Sequence, residues 1–320
     1  MYIDCAHSYL PNTFAFCSFL INPLFIYMIK KDTNLNMGNY KYLLMYFSIY
    51  NMSCSLCDIF VPVGIYNYKY AFTIFVTDGY FETPSTFGRY LLCFRCSFIT
   101  GTYAILHSHF IYRYMSLVHD KLLAWYFLPY GLVCSVLYCF LHMAFWTLVA
   151  GYLSGNNINE RLRYVQDPFS RYYGRNPQEL NIVIAQYEDA APDFVRDTWI
   201  GIGLLSIVSF ASLSLIVYFG VLIVSELKNQ ILFLSATTRR QQTQLTIALV
   251  IQTLTPTIAC FSPCFFSWYQ PMFGINMATK HVFNRDVYVS CDRSDVYHPG
   301  FANFEAAASK YDYETKETDR

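Results

Sequence analysis

Charge is what this sequence has least of. Asp, Glu, Lys and Arg make up 14% of its 320 residues, against about 25% in soluble domains. So few charges cannot cover a soluble fold of this length, so lipid or another chain must cover the apolar surface. Neither sign is in excess, with 22 basic and 22 acidic residues, and no basic face is available for nucleic acid. Catalytic motifs are absent as well. There is no HExxH, no phosphate-binding glycine loop, and Asp58 is the single acid inside a long apolar stretch. The chain is therefore not read as an enzyme, and neither a cofactor nor a metal is expected. Cysteine in aqueous segments is nearly lacking too. Of 11 cysteines, only Cys5 and Cys291 fall outside apolar runs, so a disulfide framework is excluded and the rest read as packing residues. Cys54/Cys57 and Cys93/Cys96 have the spacing of half zinc sites, but they lie in apolar helical phase and are read the same way.

What the sequence has in quantity is apolar length. Hydrophobic residues reach 55% and aromatic residues 19%. A membrane-crossing helix needs about 20 mostly apolar residues, and six stretches qualify: about 9–29, 42–66, 90–112, 124–150, 198–224 and 245–268. The expected fold is an all-α integral membrane bundle over residues 1–277, followed by a polar, disordered tail over 278–320. The first stretch has no basic n-region and no small-residue cleavage site, so it reads as a span and not as a signal peptide. Lys30, Lys31, Lys41, Arg113, Lys121, Lys228, Arg239 and Arg240 gather on one side of the six-span topology. The positive-inside rule makes that side cytoplasmic and places the N-terminus outside.

Ionisable residues inside spans are costly and mark function by default. Asp58 in span two and Arg95 in span three fall at comparable depth in antiparallel helices, as an interhelical pair or a subsite for a polar ligand. Span three carries Arg95, Thr102, His109 and Arg113 on one face, which should point into the bundle. His107 and His109 read as histidines hydrogen-bonded to neighbouring helices. Pro62, Pro256 and Pro263 are expected helix kinks, and a kinked sixth span is a natural pivot. Phe98, Thr102, Tyr103, Trp146, Trp268 and Tyr269 are candidate lining of a ligand cavity, together with Asp58 and Arg95. Arg113, Tyr114, Lys228, Arg239 and Arg240 are candidates for the cytoplasmic face. A small transporter or channel subunit is the alternative reading, although no repeat and no set of intramembrane acids supports it.

Several segments resemble the nematode serpentine chemoreceptors of the Str superfamily, class J most closely. They are the N-terminal MYIDCAHSYLP, Asn22-Pro23, Gly38-Asn39-Tyr40-Lys41-Tyr42, Asp58 to Pro62, and His109-Phe110-Ile111-Tyr112-Arg113-Tyr114. Gln241 to Leu245, Ala248 to Gln252 and Pro256 complete the set. The resemblance implies a seven-helix receptor in the plasma or ciliary membrane of sensory neurons. Such a receptor detects a small-molecule odorant or pheromone-like cue and signals through a heterotrimeric G protein. Arg113 and Tyr114 then occupy the Arg-Tyr motif at the inner end of helix three. This sequence departs from the rhodopsin-like pattern in three ways. Tyr112 precedes Arg113 where an acid is usual, the start of span six offers Arg239 and Arg240, and the segment 151–197 has no cysteine to tether it to helix three. The implied seventh span is also missing, replaced by the polar tail, which keeps a truncated, non-signalling relic among the readings.

Overall fold

The computed structural model describes residues 2–31, 38–119, 121, 123, 127–153, 158–230 and 236–274. The expected tail over 278–320 lies outside them. Helix α1 runs Tyr2–Lys31, α2 Tyr40–Phe60, α3 Thr86–Val118, α4 Leu132–Leu153, α5 Ile158–Tyr173, α6 Pro192–Gln230, α7 Ala236–Pro256 and α8 Ser262–Tyr269. Single π-helical turns precede α4, at Phe127–Gly131, and join α7 to α8, at Thr257–Phe261. Strands β1 (Val63–Tyr68), β2 (Ala71–Val76) and β3 (Ile182–Gln186) form one antiparallel sheet in the order β1-β2-β3.

Among the described residues, four helical runs are long and apolar enough to cross a membrane by length and composition: Asn12–Lys31, Tyr40–Phe60, Pro129–Leu153 and Pro192–Asn229. Their outward residues are large and bare, Phe14, Leu141, Ile207 and Val217 among them, as expected where the surrounding solvent is lipid. The third and sixth expected spans are also helical, as α3 and the α7–α8 run. They carry too many polar groups to meet the same measure. In α3 these include Arg95, His107, His109 and Arg113, of which the last three are buried. Helix α3 is the hub, packed on α4 and α6 and touching α2 and α7. At Gly101 an added Cβ would fall on the Tyr50 hydroxyl and on Met143, so the absent side chain lets α2 and α4 close on α3.

The second expected span ends early. Its helix stops at Phe60, where the Val61 N–H closes on the Cys57 carbonyl, and residues 63–66 belong to β1. Pro62 therefore sits between a helix and a strand. Its carbonyl accepts from the Thr77 N–H and hydroxyl, and it is not a helix kink. Proline cannot continue a helix that has already lost its next N–H donor, and it precedes the strand without disturbing it.

The sheet and α5 are the part of the fold that the sequence pattern did not announce. They cover the bundle end where α2 stops and α3 begins. Phe72, Ile74, Val76, Val183 and Ala185 face the bundle, with Trp146 and Trp268 beneath them. Ala71, Phe75, Ile182 and Ile184 face the other way, onto Leu162, Val165 and Phe169 of α5. A sheet buried on both faces is apolar on both, and β2 reads Ala-Phe-Thr-Ile-Phe-Val with Thr73 its one polar residue. The stripe Leu162, Val165, Phe169 at spacings of three and four is the amphipathic face that α5 lays on it.

Asn181 fixes this cover to α3. Its amide donates to the carbonyls of Phe81 (2.7 Å) and Thr83 (2.6 Å). Its side-chain oxygen accepts from the Ser85 N–H at 2.9 Å, and its backbone bonds Glu82 and Val76. Ser85 in turn caps α3 by accepting from the Gly88 N–H. A Cβ at Gly88 would collide with the Asn181 amide. The segment without a cysteine is thus tethered to α3 by one asparagine. Replacing Asn181 with Ala strands two carbonyls and an N–H, with an expected loss of about 2–4 kcal/mol. Thermal unfolding of the detergent-purified protein should report it, together with faster hydrogen exchange around Ser85–Gly88; unchanged unfolding and exchange would mean that the tether lies elsewhere.

Candidate functional site

The candidate lining residues fall into separate groups. Trp146 and Trp268 meet with ring centroids 5.1 Å apart, directly under the sheet, where Phe72 meets Trp268 edge-on at 6.5 Å. They form a packed aromatic floor. Tyr269 stacks on Phe265 and donates to the Ser206 hydroxyl at 2.7 Å. It borders a groove of about 570 Å³ between α6 and α8, walled by Leu213, Phe261, Phe265 and Phe273. Tyr103 lies at 4.0 Å from Phe261, ring on ring. Phe98 is buried in a different cluster with Tyr50 and Met143. Its carbonyl accepts from both the Thr102 and Tyr50 hydroxyls, so Thr102 is turned back on its own helix. A second groove, of about 540 Å³, lies between α3 and α4 beside the Ser108–Ser135 hydroxyl pair.

Asp58 and Arg95 do form an ion pair, Oδ1 to Nε, bridging α2 and α3. Their side chains stay 30% and 23% exposed, so the pair has an open flank. The two histidines bridge helices. His107 Nε2 lies 3.1 Å from the Ser212 carbonyl and must donate to it, which leaves Nδ1 of the neutral ring to accept from Tyr138 at 2.9 Å. His109 Nδ1 pairs with the Tyr40 hydroxyl at 3.0 Å.

At the end opposite the sheet, Arg113 is buried, and its partner is one the sequence reading passed over. Its Nη2 donates to the Gln242 side-chain oxygen at 2.8 Å and to the Gln242 carbonyl at 3.3 Å. Its guanidinium lies 5.8 Å from the centroid of the Tyr40 ring. One side chain thus ties α3 to the first turns of α7 and to α2. Gln242 was visible only as part of a polar helix start, and neutral glutamine does not announce itself as an arginine partner. Tyr114 packs on Phe219 of α6 at 5.8 Å, and Lys228 is exposed near the end of α6. Arg239 and Arg240 fall in the opening turns of α7, and their side chains lie outside the described residues.

Pro256 and Pro263 flank the π turn at Thr257–Phe261. Pro256 is the last residue of α7, and Pro263 stands in the first turn of α8. Both prolines lack an N–H, so the i→i−4 ladder is already broken on either side, and the wide turn takes up the slack. The α8 end of this hinge is stapled to the cover. Asn67 of β1 donates to the Ser267 carbonyl at 2.9 Å, and the Tyr187 hydroxyl donates to the Trp268 carbonyl at 3.0 Å.

Beside the cover lies a polar crevice of about 410 Å³, walled by Glu160, Arg161, Arg163, Tyr164, Gln186, Asp189 and Phe194. Arg161 is fully buried. It donates through Nη1 to the Ile184 carbonyl (2.7 Å) and the Thr198 hydroxyl (3.0 Å), and through Nη2 to the Leu153 carbonyl (3.0 Å). Burial holds its guanidinium below the usual arginine value, opposed by the charge of Asp197. Burial, with the hydrogen-bonded Asp189 beside it, pushes the Tyr164 phenol up to about 12. The sequence analysis assigned none of the arginines of this segment a role.

The chain matches the family described as serpentine type 7TM GPCR chemoreceptor Srj over residues 1–291. It is 31% identical over 274 residues to serpentine receptor class J-38 of Caenorhabditis elegans, covering 86% of this chain and 82% of that one. It is 24% identical over 264 residues to serpentine receptor class r-10 of the same nematode, with 81% and 76% covered. The G-protein coupled receptor str-33 of that species is 22% identical over 273 residues, with 83% and 79% covered. No solved structure matches the chain.

The ion pair generates a test. Asp58→Asn or Arg95→Gln alone leaves an uncompensated charge between α2 and α3, with an expected cost of about 2–3 kcal/mol and a fall in surface expression. The exchange Asp58→Arg with Arg95→Asp should restore expression, as counted by labelling intact cells; an exchange no better than the single variants would dismiss a pairing role.

Proposed function

Because the chain belongs to the Srj family of serpentine seven-transmembrane chemoreceptors, we propose that it detects a small-molecule, odorant-type cue and signals through a heterotrimeric G protein. The sheet-covered end faces outside with the N-terminus. The opposite end, carrying Lys30, Lys31, Lys41, Arg113, Lys121 and Lys228, faces the cytoplasm of a plasma or ciliary membrane. Residues 1–277 act as one bundle and 278–320 as a polar tail. In this reading α3 and the α7–α8 run cross the membrane as well, their polar faces turned into the bundle.

The observation that carries the proposal is the Arg113–Gln242 clamp. Its two hydrogen bonds close the inner ends of α3 and α7 on each other. Opening that end would free Arg113 and Tyr114 for a G protein, beside the exposed Lys228 and the opening turns of α7 that carry Arg239 and Arg240. The π turn between Pro256 and Pro263 supplies the pivot, and the staples from Asn67 and Tyr187 to α8 connect the pivot with the cover. A cue that displaces the aromatic floor at Trp146 and Trp268, or the open flank of Asp58 and Arg95, would move α8 and so load the clamp. Tyr103, against Phe261, and Tyr269, against Phe265, stand beside the pivot, and Phe98 and Thr102 lie in the neighbouring packing of α3.

The clamp is worth about 1.5–3 kcal/mol as a charge-assisted hydrogen bond, enough to shift a two-state equilibrium about tenfold to a hundredfold. Gln242→Ala should therefore raise the second-messenger level in the absence of any cue. Gln242→Glu should lower it below wild type by converting the hydrogen bond into an ion pair, and Arg113→Ala should abolish signalling at normal surface expression. Equal basal levels in Gln242→Ala and wild type would remove the clamp from the mechanism.

A further inference from the structure

The crevice beside the cover holds a fully buried arginine with an unused donor. Arginine has five N–H groups. Both hydrogens of Nη1 are committed, to Ile184 and Thr198, and one of Nη2 is committed to Leu153. Nε–H is buried without a partner. A buried donor left unmade is costly, and the Nε/Nη2 edge of a guanidinium is the one that takes a carboxylate side-on. The rim carries opposite charges: Arg163 on one hand, Glu160 and Asp189 on the other, all exposed. A plain anion would meet two carboxylates there, and a plain cation two guanidiniums. A molecule bearing both charges satisfies both sides.

Asp189 is held in place for such a role. It stands at a φ of +58°, in the left-handed region that non-glycine residues seldom occupy. The Gln186 amide secures its carbonyl at 2.9 Å, and the Tyr164 hydroxyl donates to its Oδ2 at 3.2 Å. That leaves Oδ1 to meet an ammonium. The volume of about 410 Å³ suits a small molecule, and Phe194 supplies an apolar wall for its body.

We propose that this crevice is a recognition site for free α-amino acids, with the carboxylate at Arg161 Nε and the ammonium at Asp189 and Glu160. It deepens the chemoreceptor reading above, on which its biological sense rests, by naming the class of cue. The consequence for the bundle follows from the other three bonds of Arg161. They reach the last residue of α4, strand β3 and the first turns of α6, so an occupant would pull on all three through one side chain.

The test uses the full-length receptor in lipid nanodiscs. The probe is an equimolar mixture of the standard L-α-amino acids, set beside the same mixture N-acetylated or converted to amides. Only the unmodified mixture should raise the thermal unfolding temperature. Half-saturation should need at least tenfold more of it in Asp189→Asn and in Glu160→Gln, neither of which touches the bonds that Arg161 makes to the frame. No shift with a folded receptor, or an equal shift with the acetylated or amidated mixture, would overturn the proposal; a response to the acetylated mixture alone would make the crevice a simple carboxylate site. Second-messenger output in intact cells is read in parallel. Binding without output supports the site and counts against the signalling function, so the two readings fail separately.

Discussion

Every backbone N–H and C=O that leaves regular structure must find a partner, and where the chain is buried, in lipid or within its own packing, water is not available to provide one. This obligation shapes the molecule at each place where a helix stops. The carbonyls at the end of α4 and along β3 are met by Arg161. Those at the end of α8 are met by Asn67 and Tyr187, and those before α3 by Asn181. In each case a single long polar side chain from another element supplies the donor. The same residues that complete the backbone therefore also tie the elements together.

The cover shows how a tether can be built without a covalent bond. A disulfide holds two points of chain at a fixed spacing whatever lies around them. Asn181, itself buried, achieves a comparable anchorage with five hydrogen bonds, counting its backbone. Such an anchor depends on staying dry, since each bond weakens once water can compete for its partner. The apolar sandwich of β2 and β3 between the bundle and α5 is what keeps water out, so packing and polar anchorage are mutually dependent.

The long helices were legible in the sequence because uninterrupted apolar length is a strong signal, and the Asp58–Arg95 pair because ionisable groups are rare inside it. The family was legible from a few specific segments, above all His109 to Tyr114. The sheet was not. The hairpin turns at Lys69-Tyr70, with Lys69 at a φ of +46° and no glycine or asparagine to mark it. Strands β2 and β3, buried on both faces, lack the alternation that identifies a half-buried strand, and β1 was absorbed into the tail of an apolar helix. The candidate lining residues were chosen one at a time by type and helical face, and the fold dispersed them among three clusters. Arg161 was missed because its importance lies in carbonyl partners, which leave no trace in a sequence, and Gln242 because a neutral side chain gives no sign of the guanidinium it meets.

The sheet also sets an order of events during synthesis. Strands β1 and β2 emerge together, but β3 follows more than a hundred residues later, after α3, α4 and α5. Until it arrives, β2 presents an unpaired edge and two apolar faces to the aqueous side, the kind of surface that recruits other strands. The sheet is thus the least local element of the fold, and whatever delays β3 prolongs the exposure of that edge.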